Sequence, residues 1–320
     1  MVSIIIPCFN GEKFIKRCIN SVLNQTYKNI ELIFINDGSI DNTEKKIEES
    51  RASIIQAKFK FKYIKTNNKG VASSINEGLS HVTGQFLTLL DVDDYLMNDS
   101  IKLRRDFLLN NKDYNIVRTN GYSVSERNIN DKTRMFIQDN IEKNKLNIFD
   151  DLIEGKTNNW SGSYMVRVDE LFEFYPNKKI YETRYGQNLQ ILLPLTYKAK
   201  SGFIDKPLMK YIIQETSVSK KKSNLNDEIK NILGYKDIRV NMVELIIKDD
   251  SKEKYLEKIE IVYARCLMDL AFSNRDKSLM EKNYKILKKN RVLTIQDKIL
   301  YYNLKNRVVE VFFRVIKKIV

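Results

Sequence analysis

The sequence predicts an α/β protein: a mainly parallel sheet flanked by helices, followed by an α-helical C-terminal region. Three observations carry this expectation. Over the first ninety or so residues, short β-branched runs alternate with stretches of helical spacing, the rhythm of strands joined by right-handed crossovers. Carboxylates recur where those runs end, at Asp37 and again at Asp91, Asp93 and Asp94, and ligands of such sheets bind outside the carboxyl ends of the strands. From Asn224 onward nearly every residue fits a helical pattern, and no proline follows Pro207.

The elements follow in order. Residues 2–6 form a β-branched run that Pro7 stops, because proline has no N–H for a ladder. Across residues 11–23 the apolar side chains Phe14, Ile15, Cys18, Ile19, Val22 and Leu23 recur at helical spacing. Residues 30–35 read as the second strand, ending in the turn sequence Asn36-Asp37-Gly38-Ser39, and a charged helix begins at Asp41. Residues 61–64 are a third strand, followed by the polar loop Asn67-Asn68-Lys69-Gly70. A short helix over 71–81 leads to a fourth strand over 85–90. From about residue 115 to 174 the pattern loosens into short strand-like pieces and polar loops. Helices are expected over 225–247, 252–273, 278–289 and 296–320, which places a boundary near residue 220.

The fourth strand carries the chemistry. Its apolar run, Phe86 to Leu90, passes straight into Asp91, Asp93 and Asp94 with no turn residue between. Packed carboxylates repel one another and lose solvation. A divalent cation among them reverses that balance, and carboxylate oxygens suit hard ions such as Mg2+ and Mn2+, which bridge to phosphate oxygens. The plainer alternative is a strand followed by a solvated acidic turn, and this stretch alone leaves both open.

Bulk properties narrow the classes. A chain of 320 residues that is 42% hydrophobic holds one large α/β domain plus an appendage, or two modest domains. Its three cysteines, Cys8, Cys18 and Cys266, lack metal-ligand spacing and an even count, so they read as free thiols of a reducing cytosol. The opening apolar run is too short for a secretory signal, and no run reaches the roughly 18 apolar residues of a membrane span. The net charge of +14 raises the question of nucleic acid, yet eleven basic residues against three acids put +8 of it in residues 281–320. The rest of the chain is closer to balance, which argues against a nucleic-acid groove through it. The first βα turn, Pro7-Cys8-Phe9-Asn10-Gly11-Glu12, is no G-x-G-x-x-G, and no G-x-x-x-x-G-K-[ST] occurs, which sets aside dinucleotide and P-loop chemistry.

Six motifs then stand in order: Ser3-Ile4-Ile5-Ile6-Pro7-Cys8-Phe9-Asn10, Leu23-Asn24-Gln25-Thr26-Tyr27, Asn36-Asp37-Gly38-Ser39, Asn68-Lys69-Gly70, Asn76-Glu77-Gly78, and Gly84 through Asp94. Together they resemble the family 2 inverting glycosyltransferases of the Rossmann-like GT-A fold, closely over residues 2–110 and more loosely to about 220. The resemblance implies a GT-A domain over 1–220, with a nucleotide-binding half (1–110) and an acceptor half (111–220), and a helical, basic region over 221–320. It implies transfer of a sugar, with inversion, from a nucleotide-sugar donor (most often UDP-linked) to a glycan or lipid-linked acceptor of the bacterial cell surface, with Mn2+ or Mg2+. The implied donor site comprises Asp37, accepting from the base, the Pro7, Phe9, Asn10 and Glu12 turn around the nucleoside, and Ser39, Asn68, Gly70 and Asn76. For the metal it implies Asp91 and Asp93, Asp93 the direct ligand, with Asp94 their neighbour. Asp37 also has a plain reading as the turn residue before Gly38.

The second half departs from the family pattern. Where the family carries Glu-Asp, whose aspartate deprotonates the acceptor, this chain has Gln187 and Asn188 in front of an amphipathic helix. An amide is no base near neutral pH, and Glu182 is the nearest upstream carboxylate to take that part. Ile75 replaces the arginine of the family's A-R-N, and Gln214 stands where a cation helps hold the diphosphate. Two readings follow: a subgroup with rearranged acid–base chemistry, or a non-catalytic GT-A module that binds nucleotide-sugar or scaffolds a partner transferase. Trp160 and Arg184 are acceptor-side candidates, Trp160 for stacking on a sugar, with a core position and a polar loop as their alternatives. The last helix puts Leu300, Leu304, Val308, Val311, Phe312, Val315 and Ile319 on one stripe, with Lys298, Lys305, Arg307, Arg314, Lys317 and Lys318 largely elsewhere. Such a helix suits an anionic membrane surface, giving a cytoplasmic protein peripheral at the inner face of the cytoplasmic membrane. The alternative is packing on the enzyme itself or on a second subunit of a homodimer.

Overall fold

The computed structural model describes residues 1–158, 160–214 and 224–305. The chain divides into two compact units, Met1–Lys221 and Lys222–Val320. The first holds strands β1 (Val2–Cys8), β2 (Ile30–Asp37), β3 (Lys60–Thr66), β4 (Phe86–Leu89), β5 (Tyr95–Leu96), β6 (Tyr114–Ser125), β7 (Tyr164–Arg167) and β8 (Lys200–Ile213). Its helices are α1 (Ile15–Leu23), α2 (Thr43–Gln56), α3 (Val71–Ser80), α4 (Ser100–Asn110), α5 (Asn140–Lys143), α6 (Phe149–Glu154), α7 (Val168–Phe174) and α8 (Gln187–Thr196). The second unit holds α9 (Leu225–Ile246), α10 (Ser251–Asn274), α11 (Lys277–Lys289) and α12 (Ile295–Lys305).

One eight-stranded sheet runs β3-β2-β1-β4-β7-β6-β8-β5. The pairs β3-β2, β2-β1, β1-β4 and β6-β8 are parallel, while β7 is antiparallel to both β4 and β6, and β5 is antiparallel to β8. The expected mainly parallel α/β sheet is therefore present, with β7 joining the two halves. Both faces of β1 are covered, as its unbroken apolar run requires. Ile4 and Ile6 join α1 and α2 in one core. Ile5 turns the other way, onto α3, where a Cβ on Gly78 would come within 2.7 Å of its Cγ2. At the edge, β3 alternates exposed and half-buried residues and shows solvent Lys60, Lys62 and Lys65, the charges that protect an edge strand.

Two expectations shift in detail. The first helix begins at Ile15 because residues 10–14 wrap the end of β1: Asn10 has φ 54°, and the Gly11 carbonyl accepts from the N–H groups of Phe14 and Ile15. The loosened region resolves into the long β6–β8 pair, whose register slips at three places, between Tyr114 and Ile116 and on either side of Asn120. Bulges break the two-residue alternation by which strands are recognised.

The helical unit packs around Ala264, Met268, Ala271, Met280, Tyr284, Leu287 and Tyr301, with Asn224 and Asp276 capping α9 and α11. Leu300 and Leu304, described members of the expected membrane stripe, pack against this cluster. Val308, Val311, Phe312, Val315 and Ile319, with Arg307, Arg314, Lys317 and Lys318, lie outside the described residues. Among the described residues no helix is long and apolar enough to cross a membrane.

Candidate active site

The carboxyl ends of β1, β2 and β4 meet at one place. After β1, the Phe9–Glu12 loop is stitched to the loop after β2. Asn10 N–H donates to Ser39 Oγ at 2.9 Å, Asn10 Oδ1 accepts from Ile40 N–H at 2.9 Å, and Gly11 N–H donates to Thr43 Oγ1 at 2.8 Å. Glu12 N–H donates to Asp41 Oδ2 at 3.1 Å, and Glu12 Oε2 accepts from both nitrogens of Asn42 at 2.9 Å. Pro7 is half-buried at the strand end, and Phe9 keeps 47% of its surface exposed beside these bonds.

Asp37, 4% exposed, closes the next gap. Its Oδ1 accepts from Thr66 Oγ1 at 3.2 Å and Lys69 N–H at 3.0 Å, and its Oδ2 from Gly70 N–H at 2.8 Å. Three donors leave about one of a carboxylate's four lone-pair sites open. Gly38, at φ 71°, is needed here because a Cβ would meet the Asn68 nitrogen at 2.7 Å. Asn68 itself is exposed, and Gly70 caps α3. Asn76 is bound within the protein: its amide exchanges hydrogen bonds with Ile180 N–H (2.8 Å) and Ile180 C=O (3.0 Å) and lies 3.5 Å from Glu182 Oε1.

The acidic turn is held on every side. Asp94 N–H donates to the Asp91 carbonyl at 3.0 Å, and Arg17 Nη2 donates to the Asp93 carbonyl at 2.7 Å. Gln214 Nε2 donates to Asp93 Oδ2 at 2.7 Å, and Ile212 N–H to Asp94 Oδ1 at 3.0 Å. Burial and the Asp93 charge push Asp91 up to about 6, against a hydrogen bond from Ser161 that lowers it. Burial also raises Asp93, opposed by its own backbone, by Gln214 and by Arg17, and it raises Asp94 well above the usual carboxylate range, helped by Asp93 and Asp91.

The acceptor-half candidates divide. Gly186, left-handed at φ 61°, opens α8, so that Gln187 and Asn188 form its first turn, both half-buried. Asn188 Oδ1 accepts from Ser161 Oγ at 3.1 Å and Tyr164 Oη at 2.6 Å. Glu182 and Arg184 are exposed. Trp160 lies flat on Tyr211 (4.9 Å between centroids, 9°) and edge-on to Phe136 (4.3 Å, 76°), so one ring face is covered by protein.

Sequence reasoning missed Arg17, Ser161 and Tyr164, and it met Gln214 only as a departure from a motif. None has a local signal: each is polar within or beside an apolar pattern, and its partner lies far along the chain. The carboxylate pair fits a hard cation. Asp91 and Asp93 are raised by burial, Asp94 Oδ2 is buried with no hydrogen-bond partner, and no group of three or more His, Cys, Asp or Glu among the described residues is arranged to hold a metal alone. Such a donor set suits an ion that takes one or two carboxylates and completes its shell with phosphate and water.

The family model described as glycosyl transferase family 2 matches residues 3–192. An uncharacterized glycosyltransferase of Rickettsia conorii is 32% identical over 235 residues, 71% of this chain and 36% of that protein. The matched segments cover 36% and 31% of the first two curated relatives, so the chain spans about a third of their length. Among solved structures, S. aureus TarS 1-349 superposes with a TM-score of 0.66 at 15% identity, covering 98% of this chain and 91% of that one, and it has also been solved in complex with UDP-GlcNAc. Mannosyltransferase PcManGT from Pyrobaculum calidifontis, in complex with GDP-Man and Mn2+, gives 0.54 at 12% identity, covering 96% and 85%. At these identities the likeness is one of fold, and that fold is GT-A.

Proposed function

This chain belongs to glycosyl transferase family 2, and on that premise we propose that it transfers a sugar, with inversion, from a nucleotide-sugar donor to a glycan or lipid-linked acceptor in bacterial surface-polysaccharide synthesis. A UDP-sugar is the first donor to test, because a structural neighbour is solved with UDP-GlcNAc. The observation that carries the reading is the convergence of the Phe9–Glu12 loop, Asp37 and the Asp91–Asp94 turn at adjacent strand ends. Phe9 offers its exposed face to the base, and Asp37 its remaining lone pair. Asp91 and Asp93 would hold Mn2+ or Mg2+. When bound, the ion offsets the charge that develops on the departing nucleoside diphosphate.

The acceptor hydroxyl attacks the anomeric carbon from the face opposite the diphosphate. Its proton goes to a carboxylate other than position 188, and exposed Glu182, held beside Asn76, is the candidate. Arg184 and Trp160 would flank the acceptor's approach. Peripheral binding to an anionic membrane through the basic C-terminal helix, expected over residues 296–320, completes the reading, with the protein at the cytoplasmic face. The test is hydrolysis of a panel of UDP- and GDP-sugars with and without Mn2+. Turnover that needs Mn2+ is expected with at least one donor, and nucleotide binding without turnover of any donor would refute the reading.

A further inference from the structure

Residues 179–183 belong to no helix or strand, yet the peptide groups at their centre are paired as if in a sheet. Asn76 of α3 exchanges two bonds with Ile180: its Oδ1 accepts from Ile180 N–H at 2.8 Å, and its Nδ2 donates to Ile180 C=O at 3.0 Å. Gln190 of α8 does the same for the next residue. Its Oε1 accepts from Tyr181 N–H at 2.8 Å, and its Nε2 donates to Tyr181 C=O at 3.0 Å. Two strands of an antiparallel ladder exchange such reciprocal pairs, and a side-chain amide can supply one because it carries both a carbonyl and an NH2. Both amides are buried, Asn76 at 5% exposed and Gln190 at 0%, and the Gln190 carbonyl accepts in turn from Tyr175 Oη at 2.7 Å.

The backbone is therefore fixed from two helices immediately before Glu182, the exposed carboxylate that lies 3.5 Å from Asn76 Nδ2. A base must come within hydrogen-bond reach of the proton it takes, and a misplacement of about 1 Å can cost on the order of a hundredfold in rate. The first turn of α8 carries no acidic residue, and Asn188 within it is engaged by Ser161 and Tyr164. A carboxylate on a loop can serve in its place only if the loop is held. We propose that Gln190 is a positioning residue, which together with Asn76 clamps the backbone of Ile180 and Tyr181 so that Glu182 meets the acceptor hydroxyl. The inference rests on the reading of Glu182 as the base.

The test is Mn2+-dependent hydrolysis of a UDP- or GDP-sugar by the full chain, in which water takes the acceptor's place, with the affinity for UDP or GDP measured beside it. Gln190→Met keeps the length of the side chain and loses both bonds to Tyr181. It is expected to lower kcat about tenfold and to leave nucleotide affinity unchanged. Glu182→Gln should lower kcat at least about a hundredfold. Adding Gln190→Met to Glu182→Gln should lower it no further, because both changes act through one carboxylate; a residue that only supports the fold would not show this. Wild-type kcat in Gln190→Met, or a further loss in the double variant, overturns this inference alone. Wild-type kcat in Glu182→Gln overturns the base and this inference with it, and a wild-type chain that hydrolyses no donor overturns the proposed function itself. If Gln190→Met does not fold, Gln190→Glu reads the same contact, since it keeps the acceptor for Tyr181 N–H and sets an oxygen against the Tyr181 carbonyl.

Discussion

Gln214 Nε2 donates to Asp93 Oδ2 at 2.7 Å across 121 positions of sequence. A neutral amide holds the carboxylate in place without cancelling its charge, which a histidine or arginine there would do. The side-chain cation that touches the turn, Arg17, binds the Asp93 carbonyl and not its carboxylate. Asp93 is thus oriented by a neutral amide, while burial raises its pKa above the ordinary carboxylate value.

Asp93→Ala is therefore expected to remove the response of donor hydrolysis to Mn2+ and to lower kcat by at least about a hundredfold. Hydrolysis rates over a Mn2+ series check this. A variant with wild-type kcat and an unchanged metal response would show that the ligands lie elsewhere.

Glu31 yields a pH prediction. It is 2% exposed and pairs with Lys60 at 2.7 Å, while Ser3 Oγ and both the N–H and Oγ1 of Thr83 donate to it. Burial raises its pKa, but Lys60 and these donors outweigh that and bring it from 4.5 to about 2. A folded pKa below the unfolded one gives stability that is complete above about 4.5 and disappears as pH falls through about 2. Glu31→Gln should cost up to about 3 kcal/mol at pH 7 and clearly less at pH 3, as urea titrations at the two pH values would measure.

Much of the donor half was legible because buried parallel strands read as β-branched runs, and because Asp37 and Asp91 to Asp94 sit where those runs stop. Asn36-Asp37-Gly38-Ser39 announces its turn through residue chemistry alone. The acceptor side was less legible for a physical reason. Asn188 gains its meaning from Ser161, 27 positions away, and Asp93 from Gln214 and from Arg17, 76 positions away. No periodicity encodes such partners. The β6–β8 pairing hid behind its bulges, and Trp160 behind a tyrosine that only the folded sheet brings beneath it.

Arg104 is fully buried and donates to the carbonyls of Ser100, Gly162 and Tyr164 and to the hydroxyls of Ser100 and Thr88. Arg104→Met keeps much of the volume and orphans those acceptors. A loss of about 2–4 kcal/mol is expected in chemical unfolding. A change under 1 kcal/mol would mean that water replaces the guanidinium.

Cys8 and Cys18 are buried, and burial pushes the Cys8 thiol up to about 12 and the Cys18 thiol well above its ordinary value. Cys266 is exposed. Iodoacetamide should label Cys266 in the native protein and the other two only after denaturant is added, as peptide mass mapping would show.

Removal of residues 306–320 keeps every described residue of α12 while taking away Arg307, Arg314, Lys317 and Lys318. Sedimentation with anionic vesicles should fall at least about tenfold. Undiminished sedimentation would refute membrane binding by this segment.

The loops after β1 and β2 are joined by six hydrogen bonds, among them both directions between Asn10 and the Ser39–Ile40 pair. A graft of residues 9–12 from a relative without residues 38–43 therefore breaks the frame it is meant to alter. If base preference resides here, it is inherited by the two loops together, and a chimera that exchanges only one should bind neither parent's nucleotide well.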